Sequence, residues 1–146
     1  LRHEAARPVL RRLVEWADVV TESFACGAMQ RLGLDYATLS EWNPRVIMLS
    51  SCLNGQTGPH ASLAGFGTMG AQMAGFGALA GWPDRAPAGP FGAYTDYVAP
   101  KFTVAALLAA LEARERSGRG QYIDLSQSEA SLHFIAQAVL DHEVNG

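Results

Sequence analysis

The sequence is poor in cysteine and has no run of like charge. Its two cysteines, Cys26 and Cys52, lie in no C-x-x-C or Cys/His cluster, so neither a disulfide framework nor a metal site is predicted. Two isolated thiols are typical of a reducing compartment. A net charge of −3 without a basic cluster excludes an electrostatic surface for nucleic acid or for an anionic membrane. We therefore expect a small-molecule or protein partner.

Long apolar runs and a leader peptide are missing as well. The apolar stretch 102–111 is too short to span a bilayer. The first 20 residues contain neither an apolar signal core nor a small-residue cleavage site. We therefore predict a cytoplasmic protein. Because the sequence does not begin with Met and stops directly after a helical pattern, we also expect it to be part of a longer chain.

The pattern of apolar residues predicts an α/β domain with a mostly parallel sheet. An amphipathic helical period covers 3–16, and a longer helix is predicted over 96–118. The middle of this second helix is apolar on all sides, which predicts that it is buried. Three short strands are predicted between helical segments, in the runs ADVVTES, RVIMLSS and GQYIDLS.

Two glycine-rich runs, GFGTMG at 65–70 and GFGALA at 75–80, fit the dinucleotide-binding template G-x-G-x-x-G/A. That template requires a tight turn between a strand and a helix, and an acidic residue about 20 positions further on. Here a long polar loop precedes Gly65, and Asp84 comes too early, in a Pro-rich loop. The glycines are instead predicted to let a helix pack closely against its neighbours.

Asp96 lies where a Gly/Pro-rich loop meets the helix predicted over 96–118. The pattern alone favours a helix N-cap, with Pro100 in the first turn. The same position would keep a carboxylate ionised beside a glycine-lined surface, because free N–H groups and the helix dipole favour negative charge. His60 is predicted to be a solvated loop residue, and both cysteines small core or loop residues.

Several segments, taken in order, resemble the family III CoA-transferases, the CaiB/BaiF family. The resemblance runs from about residue 17 to 132. It implies a Rossmann-like, mostly parallel sheet flanked by helices, in which 1–146 form part of the large domain. An N-terminal segment and a small second domain would then be absent from this sequence. The pieces that carry the resemblance are ADVVTESF, RLGLDY, NPR, GQTGP, TDYVAPKF and ALEARERSGRGQYIDLS.

In this family a conserved aspartate stands just ahead of the helix that leads to the glycine turn at 118–121, and Asp96 occupies that place. The resemblance implies that Asp96 is the covalent nucleophile of a CoA-transferase. Its carboxylate would form a mixed anhydride and then an aspartyl-CoA thioester, and the acceptor acid would reverse the steps. Water must be excluded from such intermediates. Coenzyme A is thus expected as a substrate, without a permanently bound cofactor, and the segment at 64–77 suits packing around its pantetheine arm.

The resemblance also implies which residues contact coenzyme A. Ser23 and Phe24 fall at CoA-contacting positions, and Arg31 falls at a basic position suited to a phosphate. The sequence departs from the family pattern here, because Ser23 replaces Asn and Ala25-Cys26 replace a basic residue and Pro. The run CLNGQTGP also replaces GFGQTGP.

Two other functions stay open from the sequence. The same family contains α-methylacyl-CoA racemases, which pair the aspartate with a histidine, but Phe66 stands at that histidine position. A racemase would therefore lack one of its two bases. The second alternative is a non-catalytic acyl-CoA-binding partner subunit. Relatives assemble as interlocked dimers, so we expect a homodimer or heterodimer at full length.

Overall fold

The computed structural model describes residues 3–146. Helices and strands alternate over this range as the sequence predicts. In chain order the elements are α1 (Ala6–Trp16), β1 (Val19–Glu22), α2 (Ala28–Arg31), α3 (Tyr36–Trp42), β2 (Ile47–Cys52), α4 (Gly67–Met73), α5 (Phe76–Leu79), α6 (Tyr94–Ser117), β3 (Tyr122–Ser126), α7 (Gln127–Leu132), a 3₁₀ turn (His133–Ile135) and α8 (Ala136–Asn145).

The three strands form one parallel sheet in the order β1-β2-β3. Val20 pairs with Met48, and Ser50 pairs with both Glu22 and Asp124. The predicted α/β fold with a parallel sheet is therefore confirmed. Because parallel strands point the same way, the residues that follow all three strands meet at one edge of the sheet.

Helices cover both faces of the sheet. On one face Met48 packs with Val14 of α1 and Leu39 of α3 in a buried cluster. On the other face Leu125 packs with Ala99 of α6 and Ala130 of α7. Successive side chains of a strand alternate between the faces, which explains how one short sheet supplies both clusters.

Helix α6 begins earlier than predicted, at Tyr94, and its N-cap is Ala93 rather than Asp96. The prediction of an Asp96 cap is therefore wrong, and Pro100 lies in the helix interior instead of the first turn. Tertiary packing explains the difference. Thr95 is fully buried, and its hydroxyl donates to the carbonyl of Gly67 at 3.2 Å, so the chain is already helical there.

The middle of α6 is less buried than its composition predicts. Val104 and Leu108 are 56% and 62% exposed, so one apolar face of this helix is open to solvent. The structure has two short helices, α4 and α5, after Gly65, and they are separated at Gly75, which adopts φ +97°. Glycine reaches that region without strain, which allows the chain to turn there.

The far end of α6 is fixed by a buried arginine. The Arg114 guanidinium lies 2.9 Å from the Asp18 carboxylate and donates to the carbonyls of Asp18 and Arg45 at 3.3 and 3.4 Å. Those two residues lie just before β1 and β2. The contact joins the helix end to the amino edge of the sheet.

Over 3–146 the structure contains no helix with the length and apolar character needed to cross a bilayer.

Candidate active site

A cavity of about 390 Å³ opens at the carboxyl edge of the sheet. Its walls come from the segments that follow β1 and β2, from the loop before α4, and from the starts of α6 and α7. This is the place where open α/β sheets hold ligands. The lining residues are 23–26, 51–54, 61–67, Asp96 and Gln127.

Asp96 lies in the first turn of α6, and its side chain is exposed at the cavity. It touches the start of α4: a Cβ built on Gly67 would lie 2.7 Å from both Cγ and Oδ2 of Asp96. Gly67 therefore leaves the space that the carboxylate occupies. The predicted role of these glycines in close helix packing is confirmed at Gly67 and Gly70, where a Cβ would crowd Asp96 and Leu53 respectively.

The loop at 23–27, which follows β1, carries Ser23 and Phe24 to the same cavity as Asp96. Phe24 is held at both of its backbone groups. Its N–H donates to Glu22 Oε2 at 2.7 Å, and its carbonyl accepts from Cys52 Sγ at 3.1 Å. The Phe24 ring itself is 49% exposed, so its apolar surface is available to a ligand.

Gln56, in the loop after β2, forms hydrogen bonds with the 23–27 loop and with all three strands. Its amide Nε2 donates to Glu22 Oε1 at 3.3 Å and to Cys52 Sγ at 2.9 Å. Its amide oxygen accepts from the Gly27 N–H at 2.9 Å. Its backbone N–H donates to Asp124 Oδ1 at 2.8 Å. One side chain and its backbone thus tie together the ends of three strands.

Cys52 is a buried thiol at the cavity wall. Burial, followed by the negative charge of Glu22, raises the pKa of Cys52 from 9.0 to about 11. A thiol with that pKa is almost wholly protonated near neutral pH and is a poor nucleophile. Cys26 is half-buried, and its Sγ donates to the Gln56 carbonyl at 3.3 Å. Both cysteines occupy the core or loop positions that the sequence predicts.

Arg31 does not line this cavity. It ends α2, is exposed, and donates from Nη1 to the Cys26 carbonyl of the 23–27 loop at 3.2 Å. Phe66 lies at the cavity wall and is 80% exposed, whereas His60 is an exposed loop residue outside the cavity. The structure thus brings three of the four predicted site residues together and leaves Arg31 beside them.

The sequence patterns did not indicate Gln56, Glu22 or Asp124 as site residues. Their bonds join positions 34 and 68 residues apart, and no local period reports such contacts. One sequence feature could have indicated these residues: each is a polar residue in a strand or in the loop that follows it. Within the described range, no group of three His, Cys, Asp or Glu side chains is arranged to hold a metal ion.

Comparison with known proteins identifies the family. The chain matches CoA-transferase family III over residues 1–146, and it belongs to that family. It is 35% identical over its whole length to the succinyl-CoA–D-citramalate CoA-transferase of Chloroflexus aurantiacus, covering 36% of that protein. It is 36% identical to the acetyl-CoA:oxalate CoA-transferase of Acetobacter aceti, again over its whole length, and covers 38% of it.

The fold has a solved counterpart. The crystal structure of a CaiB/BaiF family protein from Brucella suis superposes on 99% of this chain with a TM-score of 0.92 and 37% sequence identity. The chain covers 38% of that structure. The Rossmann-like α/β fold implied by the resemblance is thus confirmed, and the chain spans little more than a third of the length of these relatives.

Proposed function

We propose that the protein is an enzyme that transfers coenzyme A from an acyl-CoA donor to a carboxylic acid acceptor. Residues 1–146 would form part of its large domain. The observation that carries the proposal is the exposed Asp96 carboxylate, which shares a cavity at the carboxyl edge of the sheet with Ser23 and Phe24. Membership of CoA-transferase family III supports it.

Asp96 would act as a covalent nucleophile. Its carboxylate oxygen attacks the thioester carbonyl of the donor, CoA thiolate leaves, and a mixed anhydride remains. The thiolate then attacks the aspartyl carbonyl, which releases the donor acid and leaves Asp96 as a CoA thioester. The acceptor carboxylate attacks that thioester, which releases CoA thiolate and forms a second mixed anhydride. The thiolate then attacks the acceptor-derived carbonyl of this anhydride, which gives the new acyl-CoA and restores the Asp96 carboxylate. Each step exchanges one activated carboxyl for another, so the free energy of the thioester is retained.

Coenzyme A would lie across the 23–27 loop. In this proposal Ser23 and the exposed ring of Phe24 contact the pantetheine arm at the cavity. The Arg31 guanidinium, exposed beside the loop, would pair with a phosphate of coenzyme A. Acyl-CoA is then the substrate, and the reaction needs no permanently bound cofactor.

A positive group at the cavity would pair with the acceptor carboxylate, and residues 3–146 bring none to its lining. Among the described residues that line it, none is basic. We infer that the remainder of a longer protein or a second subunit completes the site, as an interlocked homodimer or heterodimer would. The two free cysteines are consistent with a cytoplasmic location of the protein.

The test is mass spectrometry of the full-length protein with acetyl-CoA, succinyl-CoA and longer acyl-CoAs, followed by hydroxylamine and peptide mapping. We expect an aspartyl hydroxamate at Asp96, because hydroxylamine cleaves acyl thioesters and anhydrides. The Asp96→Asn variant should yield no hydroxamate and no transfer. Asp84→Asn is the matched control, because Asp84 is an exposed loop carboxylate that pairs only with its neighbour Arg85, and it should keep both.

Two results would count against this proposal. Hydroxamate formation that persists in Asp96→Asn would exclude Asp96 as the nucleophile. Exchange of the α-proton of an acyl-CoA into solvent, without any adduct, would instead indicate enolate chemistry of the racemase type.

A further inference from the structure

We propose that Gln56 is a positioning residue for coenzyme A, which it serves by fixing the 23–27 loop. This inference rests on the proposed function, because it assumes that coenzyme A contacts that loop. Gln56 is not among the residues lining the cavity with Asp96, so its effect would pass through Ser23 and Phe24.

The side chain of Gln56 uses both ends of its amide on the loop. Its oxygen accepts from the N–H of Gly27, where the loop leaves for α2. Its nitrogen donates to Glu22 and to Cys52, and these two residues hold the N–H and carbonyl of Phe24. Both ends of the loop therefore depend on one amide.

The burial of Glu22 increases the dependence of the 23–27 loop on Gln56. It is only 8% exposed, and its two carboxylate oxygens accept from Phe24 N–H and from the Gln56 amide. A buried carboxylate that loses one of two donors is costly to keep in place, so the side chain moves or draws in water. Any such movement carries Phe24 with it.

The backbone of Gln56 provides the anchor. Its N–H donates to Asp124 at 2.8 Å, and the next hydroxyl, on Thr57, donates to the other Asp124 oxygen at 3.3 Å. Gly55, just before it, has φ +76° and faces the same carboxylate. The backbone of Gln56 is thus bound to Asp124 of β3, while its side-chain amide bonds to Glu22 of β1.

The test compares three variants of the full-length protein. Gln56→Met keeps the length of the side chain and removes its hydrogen bonds. The double substitution Glu22→Gln with Gln56→Glu exchanges donor and acceptor, so a carboxylate–amide pair and an acceptor for the Gly27 N–H both remain. Thr103→Val is the matched control, because it removes one side-chain hydrogen bond, to the Ala99 carbonyl of α6, and Thr103 makes no contact with the 23–27 loop or with Gln56.

Three readouts separate positioning from general destabilisation. We expect the dissociation constant for coenzyme A, measured by calorimetry, to rise about tenfold in Gln56→Met, the usual effect of losing hydrogen bonds near a charged group. Amide exchange at Phe24 and Gly27 should accelerate in the same variant. Hydroxamate yield at Asp96 should be unchanged at saturating acyl-CoA, since Gln56 does not touch Asp96. The exchanged pair and Thr103→Val should behave like the unsubstituted protein.

The outcomes distinguish this inference from the function on which it rests. If the unsubstituted protein binds coenzyme A and Gln56→Met binds it equally well, the inference is overturned and the proposed function stands. If the exchanged pair binds as weakly as Gln56→Met, Gln56 is not acting through its pairing with Glu22, which also overturns it. If the unsubstituted protein neither binds coenzyme A nor forms the Asp96 adduct, the proposed function falls and the inference falls with it.

Discussion

Gly67 controls where the Asp96 carboxylate can lie. A Cβ at position 67 would stand 2.7 Å from Asp96 Cγ and Oδ2, and 2.9 Å from the Ala93 Cβ at the N-cap of α6. Carbon atoms do not approach that closely without bonding, so any side chain there must displace the carboxylate or the start of the helix. The absence of a side chain at one residue thus defines the position of the reactive group at another.

We predict that Gly67→Ala slows formation of the Asp96 adduct by about 100-fold at saturating acyl-CoA, because a displacement near 1 Å can have that effect on a reacting group. The rate of hydroxamate formation measures it. Gly70→Ala is the matched control on the same helix. Its Cβ would meet Leu53 at 2.7 Å and Thr95 at 3.0 Å, so it adds similar crowding without meeting the Asp96 carboxylate itself. Equal rates in the two variants would refute the argument.

Helix α6 is the element that connects the site to the opposite edge of the sheet. Its 24 residues begin at the cavity and end beyond Arg114, a length of roughly 36 Å at 1.5 Å per residue. Arg114 near the far end is fixed by its contacts with Asp18 and Arg45, whereas Asp96 at the near end lies beside Gly67 and is exposed. Gly118 ends the helix with φ +72°, as its position in the sequence predicts.

We expect Arg114→Ala to lower the free energy of unfolding by about 2–3 kcal/mol, because two carbonyls lose their donor and a buried side chain is removed. Denaturant unfolding of the full-length protein measures the change. Arg116→Ala is the control on the same helix: Arg116 pairs only with Glu112, at 3.7 Å on the exposed surface, and its loss should change stability by less than about 0.5 kcal/mol. A similar loss in both variants would contradict the role assigned to Arg114.

The order of elements could be predicted from the sequence because apolar period and turn residues are local properties. The start of α6 could not, because burial of Thr95 against Gly67 outweighs the preference of Asp for a cap. The resemblance to the family indicated Asp96, Ser23 and Phe24 for the site. It did not assign a role to Gln56, whose partners Gly27, Glu22 and Asp124 lie 29 to 68 residues away in the sequence.

At the scale of the whole molecule, many large apolar side chains of the described residues face solvent. Val104 and Leu108 form an exposed strip on α6, and α8 carries others. Exposed apolar surface of this extent commonly marks a contact with another part of the protein. The chain covers little more than a third of its relatives, and we propose that the remainder covers these faces. The exposed side chains include Trp16, Trp82, Phe91, Val139, Leu140 and Val144.

We predict that the 146-residue chain alone binds the dye ANS more strongly per molecule than the full-length protein does, and that it self-associates in light scattering. Replacing Val104 and Leu108 by Glu in the short chain should lower both signals, since the substitutions place charge on the exposed strip. Equal dye binding by the short and full-length proteins would mean that the strip stays open in the complete protein.

The burial of the Cys52 thiol limits a side reaction of the proposed chemistry, the transfer of the acyl group to a cysteine. On the proposed chemistry, an acyl thioester reacts within a cavity whose wall holds two cysteines, and a protein thiolate there would capture the acyl group by thioester exchange. Because burial raises the pKa of Cys52 to about 11, this thiol is almost wholly protonated at neutral pH. The burial that raises the pKa of Cys52 would therefore protect this thiol from acylation by the substrate.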